Sequence, residues 1–123
     1  MTSILSLNPD ADAVPNDDTW TYAGVTTGIA DTTAVAIKAA VTDAVIELDS
    51  IQFTNSDASV ATEVEILSAT TVLWRGYAPA AGVSPQKHDF AGSIKTVAGE
   101  ALNVKAVTTS AQLIVSAQGR VVG

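Results

Sequence analysis

The stretch Ile46-Glu47-Leu48-Asp49-Ser50-Ile51-Gln52-Phe53 decides the fold. Ile46 and Leu48 alternate with Glu47 and Asp49, the two-residue period of a strand with one dry and one wet face. After Ser50 the phase changes, because Ile51 and Phe53 fall on odd numbers where Ile46 and Leu48 fell on even ones. A one-residue slip would turn every following apolar side chain to the wrong face. The way to keep both halves on one core is a β-bulge near Ser50, which bends the strand and re-aims its side chains.

The same period recurs on both sides of this strand. Upstream, Trp20 and Tyr22 alternate with Thr19, Thr21 and Ala23, Gly24 to Asp31 reads as a turn, and Val35, Ile37 and Ala39 share a face opposite Lys38. Downstream, Asn55-Ser56-Asp57-Ala58 supplies turn residues, then Val60, Thr62, Val64 and Ile66 lie opposite Glu63 and Glu65. Two such runs joined by a short polar loop predict a hairpin. Ser68-Ala69-Thr70-Thr71 turns the chain into Val72–Tyr77, and the proline-containing segment Ala78–Pro85 reads as an exposed loop. Gln86–Phe90 reads as a short strand, Ile94–Val97 as a weak one, and Ala98-Gly99-Glu100 as a turn. Leu102, Val104 and Ala106, then Leu113, Val115 and Ala117, close the series.

Composition agrees with an all-β reading. Fifteen Val, eight Ile and fifteen Thr outweigh seven Leu, and β-branched side chains suit a pleated strand better than a helix. No acidic residue lies three or four positions from a Lys or Arg, so helix-supporting ion pairs are missing. A chain of 123 residues makes one ordinary domain. The expectation is a single β-sandwich, jelly-roll or immunoglobulin-like, of about eight strands over residues 19–123. Residues 1–18 carry four Asp, two Pro and no cation, and read as an extended acidic N-terminal arm with a small apolar patch of Ile4, Leu5 and Leu7.

The charges and the rare residues exclude several function classes. With 13 acids against 6 bases the formal charge is −7, and no basic cluster offsets it, so phosphate backbones are repelled. Nucleic acid is not an expected partner. No apolar run approaches the length that crosses a bilayer, and the N-terminus lacks the basic start of a signal peptide. There is no Cys and one His, which removes thiolate chemistry, disulfides and multi-histidine metal sites.

The remaining constellations are weak as chemistry. His88 and Asp89 are strand neighbours and point to opposite faces, so His88 reads as a surface histidine. Glu63 and Glu65 lie about 7 Å apart on one strand face, a glycosidase-like separation, but read as two solvated side chains. Asp10, Asp12, Asp17 and Asp18 lack the spacing of a calcium loop. No catalytic, cofactor or metal residue is expected, and the protein reads as no enzyme. Candidate contacts are the aromatic residues Trp20, Tyr22, Trp74 and Tyr77, with Arg75 and Tyr77 on the face opposite Trp74, together with Ile4, Leu5 and Leu7 of the arm.

Ser50-Ile51-Gln52-Phe53-Thr54-Asn55-Ser56 and Thr70-Thr71-Val72-Leu73-Trp74-Arg75-Gly76-Tyr77-Ala78-Pro79 resemble segments of small virion proteins of tailed bacteriophages. Ala101–Ala106 and Val115–Gly119 are similar to the same group, so the resemblance runs from Ala44 to Gly123. It implies a capsid decoration (cement) protein on the virion surface, assembled in the host bacterial cytoplasm. Its partners would be the major capsid protein and further copies of itself, as trimer or dimer. The rival expectation is a tail- or fibre-associated module that binds a carbohydrate or receptor.

Overall fold

The computed structural model describes residues 18–23, 29–30, 33–82 and 85–123. They form β1 (Asp18–Ala23), β2 (Ile29–Ala30), β3 (Val35–Lys38), β4 (Val45–Asn55), β5 (Thr62–Ser68), β6 (Thr71–Ala78), β7 (Gln86–Lys95), β8 (Leu102–Ala106) and β9 (Gln112–Val122). A 3₁₀ turn over Ala80–Gly82 follows β6. Sheet one runs β1-β9-β4-β7, with β2 also on β9, and sheet two runs β3-β8-β5-β6. The bulge expected from the phase change is present. Both neighbours of β4 shift register between Leu48 and Ser50, so Leu48 and Ile51 are both buried in one core.

The pairing is nested. β1 pairs β9, β3 pairs β8, β4 pairs β7 and β5 pairs β6, all antiparallel. This long folded ribbon is then rolled, so that β9 also meets β4 and β8 also meets β5. The winding is that of a jelly roll, and the immunoglobulin-like alternative is set aside. Inward side chains of both sheets make the core, with Ile46, Leu48, Ile51 and Phe53 of β4 facing a layer that includes Val64, Ile66, Leu102 and Val104. Each such side chain contributes about 1.5–3 kcal/mol by leaving water.

Three local expectations are corrected. β4 and β5 are not a hairpin, because they belong to different sheets and residues 56–61 carry the chain across the sandwich. The turn-forming residues are real, but Asn55 and Asp57 use their acceptors to close this crossing loop rather than to join ladder neighbours. Gln86–Phe90 and Ile94–Lys95 are one strand, whose pairing with β4 jumps from Ile94 to Asp89 and so hides its period. Within the expected turn Gly24–Asp31, Ile29 and Ala30 pair with Leu113 and Gln112 as β2.

Rolling the ribbon takes the chain from sheet to sheet at its crossings, which leaves backbone groups buried outside the ladders. Small polar side chains satisfy them. Thr62 Oγ1 accepts from the amides of Val107 and Thr108, Ser68 Oγ accepts from Val97, and Thr96 Oγ1 accepts from Ile46. Asn55 does the most, donating from Nδ2 to the Val60 carbonyl and accepting at Oδ1 from the amides of Asp57 and Gln112.

Candidate functional site

Among the described residues, each of the two sheets presents an outward face to a partner. On the outer face of sheet two, Glu65 of β5 lies in register with Arg75 of β6 and Lys105 of β8. Arg75 donates from Nη2 to Glu65 Oε2, Lys105 Nζ lies 3.5 Å from Glu65 Oε1, and Arg75 Nε lies 3.4 Å from Glu63 Oε1. Glu63 is exposed as expected, but Glu65 is only 5% exposed, which corrects the reading of two solvated carboxylates. The cations on the flanking strands pair with it from both sides, and a carboxylate this buried needs both.

Sheet one repeats the device. Glu47 of β4 lies in register with Lys95 of β7 and Arg120 of β9. Arg120 Nη2 donates to Glu47 Oε1 at 2.9 Å, Lys95 Nζ lies 3.8 Å from Oε2, and Arg120 Nε lies 3.5 Å from Asp49 Oδ2. Each sheet thus carries a cation–glutamate–cation row across three strands. Four of the chain's six cations, Arg75, Lys95, Lys105 and Arg120, are held this way. The outer faces therefore offer little positive charge to a polyanion.

Beside the bulge on sheet one, Ser50 and Gln52 of β4, Ser116 and Gln118 of β9, and Lys87 and Asp89 of β7 line a shallow groove of about 260 Å³. Its side chains are mostly uncharged hydrogen-bonders. Among the described residues, no group of three or more His, Cys, Asp or Glu side chains could hold a metal ion.

His88 is not a surface histidine. It points inward from β7, half-buried among Phe53, Trp74 and Phe90 with ring centroids 5.8, 4.7 and 6.4 Å away, while Asp89 is exposed on the other face. The two do not form a base–orienter pair. Trp74 lies across Gly76, where an added Cβ would stand 2.3 Å from the indole Cη2. Only the missing side chain of Gly76 lets the indole pack flat against its own strand.

The expected contact residues fall into separate places. Trp20 is buried and Tyr22 half-buried, both packed against the core from edge strand β1. The Trp20 indole N–H has no hydrogen-bond partner among the described residues. Trp74 is half-buried in the aromatic cluster at the opposite edge, while Arg75 and Tyr77 point outward from β6 as expected. Ile4, Leu5, Leu7 and nearly all of the proposed arm lie outside the described residues. Asp18, read as the arm's last residue, opens β1 opposite Val121. The glutamate rows escaped sequence reading, although the alternation Glu63-Val64-Glu65 held half of the signal. No protein-family model matches the chain, and no curated protein or solved structure matches it either.

Proposed function

We propose that this chain is a structural, non-enzymatic virion protein that decorates or cements the capsid of a tailed bacteriophage, with the major capsid protein as its partner. The observation that carries the reading is the use of the cations. Each sheet pairs two of its own cations with a buried glutamate, while residues 18–123 still carry ten acids against six bases. Residues 1–17 add three Asp and no cation, and supply the segment best suited to seek basic or polar groups on another surface. Jelly rolls occur among capsid proteins, a likeness of fold alone. Many copies on a symmetric shell turn modest individual contacts into firm attachment.

Deleting residues 1–17 keeps Asp18 to pair with Val121, so the thermal midpoint is expected to stay where it is in the full chain. Binding to purified shells, followed by co-sedimentation, is expected to fall roughly tenfold or more through the lost contacts. Undiminished binding would remove the arm from the reading.

A tail- or fibre-associated carbohydrate- or receptor-binding module is the second reading. The groove of Ser50, Gln52, Ser116 and Gln118 favours it, since hydroxyls and amides match sugar hydroxyls. A sugar also wants an aromatic platform, and the exposed Tyr77 belongs to sheet two while the groove lies on sheet one. That separation places it second.

A further inference from the structure

Among the described residues the sandwich has four sheet edges, and three are blunted in ways that discourage further strands. β3 is four residues long with a register shift between Ala36 and Lys38. The β1 edge of sheet one is divided between strands of six and two residues. β7 carries the exposed Lys87, Asp89 and Lys95 and an interrupted register. β6 is different. From Trp74 to Ala78 it pairs with β5 in unbroken register, with neither proline nor lysine, and Arg75 is neutralised by Glu63 and Glu65. Its outer side chains Val72 and Tyr77 are 42% and 57% exposed.

We propose that β6 is a self-association edge, at which two copies pair their β6 strands antiparallel about a two-fold axis and merge their four-stranded sheets into one continuous sheet. The inference stands whether or not the protein coats a shell. Sheet continuity requires outer residues to face outer residues, so Arg75 and Tyr77 must oppose odd-numbered positions. Centring the axis on Arg75 sets two guanidinium groups face to face. Centring it on Tyr77 sets Arg75 opposite Pro79, which has no N–H to give. Centring it on Trp74 brings the irregular Leu73 opposite Arg75. With the axis on Gly76, Arg75 lies opposite the partner's Tyr77 and Tyr77 opposite the partner's Arg75. A guanidinium over a phenol ring is attractive, and the bulky Trp74 meets the small Ala78. Such an isologous contact is self-complementary. The same pairing would cover the half-buried Trp74, His88 and Phe90, which sit where β6 and β7 flank one open side.

Sedimentation velocity of the full chain over a concentration series tests this, with wild type expected to form a dimer. Tyr77→Lys keeps a partner within its own chain, because Glu63 stands opposite it, but places a cation against the partner's Arg75. Its association is expected to weaken roughly tenfold or more. Tyr77→Glu places a carboxylate there and is expected to keep the dimer. In wild type alone, hydrogen exchange at residues 74–78 is expected to slow as concentration rises. A monomer at every concentration, a trimer, a dimer that Tyr77→Lys leaves intact, a Tyr77→Glu variant as weak as Tyr77→Lys, or exchange indifferent to concentration would each overturn the proposal.

Discussion

Gly119→Ala is expected to destabilise the fold by at least about 3 kcal/mol, although it adds a single methyl group. Along β9 the inward side chains shrink from Leu113 through Val115 and Ala117 to Gly119. The taper ends where β9 meets the bulge of β4, with Gly119 opposite both Leu48 and Trp20. A Cβ there would stand 1.8 Å from the Glu47 carbonyl oxygen and 2.9 Å from Trp20 Cζ2. The nearest obstacle is backbone, so no rotamer change relieves it, and β4 and β9 must part at the centre of sheet one. Gln118→Ala, one residue earlier on the exposed face, is expected to change stability by less than about 0.5 kcal/mol. Urea unfolding of the two variants checks the contrast, and a Gly119→Ala protein as stable as wild type would mean that the bulge does not hold the strands this close.

Asn55→Ala is the second large effect, expected to cost about 3–5 kcal/mol. Asn55 is 1% exposed, and its amide bonds to three backbone groups, two in the crossing loop and one at the start of β9. Truncation leaves the Val60 carbonyl and the amides of Asp57 and Gln112 short of a partner. Because these groups join the β4–β5 crossing to the start of β9, the loss is expected to spread. Hydrogen exchange should accelerate at residues 56–61 and around Gln112 before it does in β5. Asn55→Asp keeps the two accepting contacts and loses the donor, and is expected to fall between alanine and wild type. Equal stability of wild type and Asn55→Ala would refute this role.

Much of the fold was legible because period and phase are local. The slip between Leu48 and Ile51 announced the bulge, and the alternations around Trp20, Val64, Leu102 and Leu113 placed strands close to where they lie. What escaped depended on distant parts of the chain. Asn55-Ser56-Asp57 has the chemistry of a tight turn and of a crossing loop alike, and the choice is made by the core between the sheets. β7 hides its period because its inward positions include His88 and because its register with β4 breaks after Asp89. Glu65 looked as wet as Glu63 until Lys105 arrived from β8. Among the expected contacts, the outward direction of Arg75 and Tyr77 followed from simple alternation, whereas the burial of Trp20 required the whole sandwich.

Decoration is supported by a sequence resemblance and by the paired charge rows on both sheets, and the β6 edge adds a way for copies to join. Its most direct test is quantitative mass spectrometry on phage particles purified from the source, comparing copies of this chain with copies of the shell subunit. The reading predicts a copy number of the same order as the shell subunit. A number far below it would move the protein to the tail or fibre and favour the receptor-binding reading, and absence from the particles would contradict both.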